Sequence, residues 1–193
     1  FSRIKKASFS NKVPLLNIYK KLLNKNVNST NFLFSIKNDV SVIGSTPELI
    51  LSKLNRNIKS ESIAGSNYNK NNDFIYDEKE IIEQKIVTDY IIDFFEKNAT
   101  DVKYNDKPKI KKSSNIEHLC TFFSAYLKND KNILDLLIDL HPTPAIGGYP
   151  KEQAIDMIRN LKEDRGWYGG PIGWIDNNLD GQFYLNIRSA LGI

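Results

Sequence analysis

Apolar and polar positions along the chain recur with two periods, and the change from one to the other separates expected strands from expected helices. Short β-forming runs at 32–35 and 40–43 flank the turn residues Asn38 and Asp39, which predicts a hairpin. Two more strands are expected at 48–54 and 57–64, around Asn55 and Arg56. The clearest helix is expected over 77–98, where Ile82, Ile86, Tyr90 and Phe94 recur at helical spacing, as do Val87 and Ile91. The lysine-rich, proline-containing stretch 103–114 reads as a linker.

Beyond that stretch, residues 116–123 predict a strand and 133–140 a short helix that ends before Pro142. Pro150 suits the first turn of a helix whose apolar face is Ala154, Ile155, Ile158 and Leu161. Residues 170–175 and 182–188 predict a hairpin across 176–181. Helices and strands follow one another without a regular βαβ rhythm, and no internal repeat is visible. The expected fold class is therefore α+β with mainly antiparallel sheet.

At 193 residues with 40% hydrophobic content, the chain can bury the core of one domain or of part of a larger one. Its net charge of +4 is scattered. The lysine and asparagine segments at 69–73 and 104–112 carry no interleaved aromatic platform, so they read as solvated loops and not as a nucleic-acid surface. The single cysteine, Cys120, cannot form an internal disulfide, which suits a reducing compartment. No apolar run reaches the roughly 20 residues that span a bilayer, and the first residues lack a signal-peptide pattern, so a cytoplasmic protein is expected. The chain starts at Phe1 without a methionine and stops at Ile193 just after an expected strand. It is expected to be cut at both ends.

Four residues stand out chemically. Glu83 lies on the expected helix in line with Val87, Tyr90 and Phe94. A carboxylate on an apolar stripe is costly to bury unless a cation or proton neutralises it, and a salt bridge to Lys79 one turn earlier is the plain alternative. Glu48 follows Pro47 at a strand start, where an exposed turn carboxylate is the ordinary reading. His118 reads, taken alone, as a buried imidazole bonded to a carbonyl. Arg188 is expected on a strand face shared with Tyr184 and Asn186. The chain has five arginines against twenty-two lysines, so a guanidinium here suggests a need for bidentate geometry, with a surface arginine as the alternative.

Five motifs occur in order: Ser45-Thr46-Pro47-Glu48, Ala64-Gly65-Ser66, DEKEIIEQKIV, the LHPTPAIGGYP turn, and the segment from EDRGWYGGPIGWID to FYLNIRSA. Together they resemble the chorismate-utilising enzymes and, within them, the isochorismate synthases. The resemblance implies the large layered α+β fold of the chorismate-binding domain, of which residues 1–193 would be the central part. It implies that Glu48 is the general acid that protonates the departing C4 hydroxyl of chorismate, a role that needs a raised pKa. It implies that Glu83 is a magnesium ligand, with Glu80 as an outer-shell helper, Mg2+ suiting hard oxygen donors and an anionic substrate.

For substrate binding, the resemblance implies that His118 faces the ring carboxylate and that Arg188 and Tyr168 grip a carboxylate. Gly169, Gly170 and Gly65 let backbone approach closely. Ala145 stands where relatives that expel pyruvate or use ammonia carry threonine or serine, which points to water as nucleophile, and Ile146 packs under the ring. His141 shapes the turn. The implied activity is isomerisation of chorismate to isochorismate by water addition at C2, double-bond migration and loss of the C4 hydroxyl. The family's base lysine would lie upstream of Phe1, and a second magnesium glutamate and a carboxylate-binding lysine after Ile193, so the 193-residue chain is expected to be inactive alone. Menaquinone supply is favoured over siderophore synthesis by the likeness of the HPTPAIGG and RGWYGGPIGW segments. The alternatives are an anthranilate-, aminodeoxychorismate- or salicylate-forming relative, or a non-catalytic chorismate-binding module.

Overall fold

The computed structural model describes residues 5–36, 40–67, 77–113, 116–161 and 164–192. Ten strands and five helices form among them, and every strand pairing is antiparallel. β1 (Thr30–Ser35), β2 (Ser41–Thr46) and β10 (Ser189–Gly192) make a small sheet in the order β1-β2-β10. A larger sheet runs β5-β7-β4-β3-β9-β8, with β6 also paired to β7. Its members are β3 (Leu49–Leu54), β4 (Asn57–Asn67), β5 (Ala99–Tyr104), β6 (Lys109–Ser113), β7 (Ile116–Leu127), β8 (Pro171–Ile175) and β9 (Gly181–Leu185). The α+β class with antiparallel sheets expected from the sequence is the one observed.

The long helix α2 (Glu78–Asn98) starts where Asp77 caps it, the side chain accepting from the amide of Glu80 at 3.1 Å. Its buried row is Gln84, Val87, Ile91, Phe94, Phe95 and Asn98, packed on the larger sheet. Val87, Ile91 and Phe94 belong to the expected stripe, but Ile82 is 52% exposed. The polar Gln84 sets that rotation: its amide donates to the Ser62 carbonyl and hydroxyl and to Thr121, tying the helix to β4 and β7. Phe95 then meets Phe123 of β7, ring centroids 5.4 Å apart, at the centre of a core completed by Leu51, Ile58, Leu127, Leu136, Leu140 and Leu185.

The helix α3 (Ile133–Leu140) has the expected bounds, with Asn132 as its cap. A four-residue turn of helix, α4 (Pro144–Gly147), and α5 (Lys151–Asn160) follow, the latter entered through Pro150. The apolar face expected on α5 is only half-buried, and Leu161 is exposed.

Residues 103–114 are a correction. Where a linker was expected, Lys103 and Tyr104 end β5 and Lys109–Ser113 form β6, both paired with β7. Edge strands carry lysines because charge discourages further pairing, so lysine richness at a sheet edge looks like linker composition. Two elements were not among those expected: the helix α1 (Leu15–Lys25), whose Leu15, Ile18, Tyr19 and Leu22 do recur at helical spacing but which fully buries no residue, and β10. The expected turn at Asn38 and Asp39 and the loop at 69–73 lie outside the described residues.

Twice the chain passes from one sheet to the other, and the passages run side by side. Pro47 and Glu48 link β2 to β3; Asn186, Ile187 and Arg188 link β9 to β10. The Ser45 amide donates to the Arg188 carbonyl at 3.2 Å, and the Leu185 amide to the Glu48 carbonyl at 3.0 Å.

Candidate active site

The two passages open onto a cavity of about 530 Å³. Glu48 and Arg188 line it from the passages, Gly65 and Ser66 from β4, Glu83 and Val87 from α2, and His118 from β7. Ala145 and Ile146 of α4, Tyr149 and Tyr168 close the remaining side. Glu48, Gly65, Glu83, His118, Ala145, Tyr168 and Arg188, all singled out from the sequence, thus border one cavity. Gly169 does not; it lies behind Tyr168, where its amide donates to the Asn186 carbonyl at 2.8 Å. Its φ of +77° and the approach of Ile146, 2.7 Å from where a Cβ would stand, make glycine necessary there.

Glu48 is 5% exposed, not the exposed turn carboxylate that its position after Pro47 suggests. Burial, and then the nearby Glu61 carboxylate, push its pKa up from 4.5 to about 8, against the smaller opposing pull of Lys111 and Arg188. The carboxyl therefore carries its proton at neutral pH.

Arg188 is not on a strand, as its alternation with Tyr184 and Asn186 implied. The strand ends at Leu185, and Arg188 sits at φ 51° in the bend toward β10. That bend aims the guanidinium into the cavity, where Nη1 donates to the Ser113 hydroxyl at 2.9 Å and Nη2 meets Nε2 of His118 at 2.5 Å. A guanidinium can only donate, so Nε2 is the lone-pair nitrogen and Nδ1 holds the proton. Nδ1 lies 3.1 Å from both the Gly65 carbonyl and the Ser66 hydroxyl. Burial lowers the pKa of His118, as do Arg188 and Lys111, so a neutral ring fits on both counts.

Gly65 works through its backbone. At φ +73° it forms a bulge where the β4–β7 register shifts, and a Cβ there would meet Glu80 at 2.9 Å. Glu80 accepts from the Ser66 amide at 2.9 Å and so pins the bulge.

Glu83 is half exposed, with its carboxylate 3.0 Å from the Lys79 ammonium. The salt bridge to Lys79 read from the sequence is present, and Glu83 also lines the cavity. Magnesium takes one or two protein carboxylates and completes its shell with water and substrate oxygens. Among the described residues no three acidic, histidine or cysteine side chains form a metal cluster; the half-exposed Glu83 carboxylate at the cavity leaves room for the water and substrate oxygens that a magnesium shell needs.

His141 lies apart, its amide closing α3 and its carbonyl accepting from Lys151, and burial pushes its pKa down to about 4. Cys120 is buried and unpaired. Sequence reasoning missed Ser113, Lys111 and Glu61, all close to this site. The first two lie in the supposed linker, and Glu61 sits in the polar run Lys59-Ser60-Glu61-Ser62, which carries no distinguishing pattern.

A family profile described as chorismate binding enzyme matches residues 1–192. The isochorismate synthase MenF of Bacillus subtilis is 35% identical over 173 residues, which cover 84% of this chain and 37% of that protein. The isochorismate synthase EntC of Escherichia coli is 28% identical over 183 residues, covering 90% of the chain and 47% of that protein. The chain thus spans about two fifths to one half of these curated relatives. A crystal structure titled as a 2,3-dihydroxybenzoate-specific isochorismate synthase, DhbC from Bacillus anthracis, superposes with a TM-score of 0.89 at 27% identity, covering 95% of this chain and 53% of that one. Among the described residues no helix is long and apolar enough to cross a membrane. With the family profile running over nearly its whole length and the fold superposing on that of a relative, this chain belongs to the chorismate binding enzymes.

Proposed function

We propose that the protein containing this chain is an isochorismate synthase that converts chorismate to isochorismate with Mg2+, and that residues 1–193 form the central part of its single chorismate-binding domain. The observation that carries this reading is a buried, protonated Glu48 opening onto the same cavity as the Arg188 guanidinium and the Glu83 carboxylate. Arg188, braced by Ser113 and His118, takes a carboxylate of the substrate, with Tyr168 at the same dianion and Ala145 and Ile146 under the ring. Glu48 delivers its proton to the C4 hydroxyl, which leaves as water while another water, giving up a proton to a general base of the complete protein, adds at C2 and the double bond shifts. An acid that keeps its proton near pH 7 suits this transfer. Glu83 would hold the magnesium, which when bound offsets the negative charge of the substrate.

Alanine at position 145, with no hydroxyl to offer, favours water as nucleophile over ammonia and over pyruvate release. The relatives' names divide between menaquinone and siderophore supply, and the HPTPAIGG and RGWYGGPIGW segments favour menaquinone. The buried free thiol of Cys120 suits a cytoplasmic location. Incubating the complete natural protein with chorismate and Mg2+ and separating the products by chromatography is the test. Isochorismate is expected; anthranilate, salicylate with pyruvate, or unchanged chorismate would overturn the reading.

A further inference from the structure

Beside Glu48 lies an ion pair to which the proposed reaction gives no role. Lys111 on β6 reaches across to Glu61 on β4, Nζ to Oε2 at 2.5 Å, and donates also to the Pro47 carbonyl at 2.7 Å. The same Oε2 of Glu61 accepts from the Leu49 amide at 3.4 Å. The pair thus grips the peptide groups immediately before and after Glu48, at the point where the chain passes between sheets. Both side chains are mostly enclosed, Lys111 at 18% and Glu61 at 14% exposure. Desolvation offsets much of the attraction in such a pair, so stability alone is a weak reason for it.

The charged and titratable groups facing Glu48 are Glu61 from β4, Lys111 from β6, Cys120 from β7 and Arg188 from the bend before β10. His118 and Glu83 face the same cavity. Cys120, its thiol pushed up to about 12 chiefly by burial, and Arg188 keep their charge states through the neutral range. Glu61 and Lys111 act on Glu48 with opposite signs from a fixed frame.

Resting on the function proposed above, we infer that Glu61 and Lys111 are positioning residues for the proton donor Glu48: together they clamp its backbone, and their opposed charges balance its hold on the proton. The test is the pH profile of kcat/KM in the complete natural protein for Glu61→Gln, Lys111→Met, Lys111→Arg and the double variant Glu61→Gln/Lys111→Met. Removing the negative charge moves the alkaline limb down, and removing the positive charge moves it up. Each shift should reach about half a unit, a roughly threefold change in activity on that limb. Lys111→Arg should leave the limb in place, while the double variant returns it toward the wild-type position with a lower kcat from the loosened backbone.

A merely structural pair would lower activity in both single variants without opposite shifts; limbs that move together, or stay put, overturn the inference. If Lys111→Met does not fold, the direction of the Glu61→Gln limb decides alone. Isotope-edited infrared spectroscopy of the Glu48 carboxyl, with Glu48→Gln as the blank, reads the same opposite shifts without turnover. Failure to make isochorismate then sinks the functional reading only, and unmoved infrared titrations sink this inference only.

Discussion

Arg188 donates from Nη2 to the lone pair on Nε2 of His118, seventy residues earlier in the chain, and so fixes the tautomer of that ring. The contact orients both groups toward the cavity before any substrate arrives. Arg188→Lys keeps the charge but loses the planar fork and the brace to Ser113. The expected result is a KM for chorismate raised about tenfold to a hundredfold, roughly 1.4 to 2.8 kcal/mol, read by steady-state kinetics of the complete protein. An unchanged KM would show that the guanidinium does not hold the substrate.

Glu48→Gln removes the transferable proton while keeping shape. Turnover should fall by about 10²- to 10⁴-fold with chorismate affinity kept within a few-fold, measured by product assay and calorimetry. In the wild type kcat/KM should decline above about pH 8 as the carboxyl ionises.

The same carboxyl makes stability depend on pH in an unusual direction. Its folded pKa of about 8 lies above its ordinary 4.5, so between these values the folded chain binds more protons than the unfolded one. Stability is therefore full below about pH 4.5 and is lost as pH rises toward 8, on the order of 4 kcal/mol for this one group. Denaturant titrations from pH 5 to 8 should show this decline in the wild type and its absence in Glu48→Gln. Parallel curves for the two would exclude a raised Glu48 pKa.

Glu83 is half exposed on its helix, so Glu83→Ala should change stability by no more than about 0.5 kcal/mol. Its effect should fall on the metal. The Mg2+ concentration for half-maximal activity should rise by about tenfold or more, and an unchanged requirement would remove Glu83 from the magnesium site.

Lys53 and Asp180 form a buried ion pair between β3 and the β8–β9 turn, and Asp180 also accepts from the Asn55 amide at 2.8 Å. Removing one partner leaves the other charge buried. Asp180→Ala should cost about 3 kcal/mol in urea unfolding without changing the cavity residues. A loss below about 1 kcal/mol would mean that water reaches Lys53.

Elements whose information is local were legible in the residue pattern. The helix expected over 77–98, the apolar repeat through Val87, Ile91 and Phe94, the bounds of α3 before Pro142, and the family's ordered motifs all lie within short windows, where backbone propensity and side-chain period act directly. Tertiary structure decided what the windows could not hold. Lys111, read as linker, became the middle residue of the strand β6 because β7 supplies its ladder partners. Arg188, read as a strand residue, turned into the cavity because β10 leaves the larger sheet to pair with β2. Several contacts that build the site join residues 50 or more positions apart, as in Lys111 to Glu61 and Arg188 to Ser113. Such contacts depend on which strands lie side by side, and strand neighbours are chosen by burial of the whole core, with no trace in the local pattern of either partner.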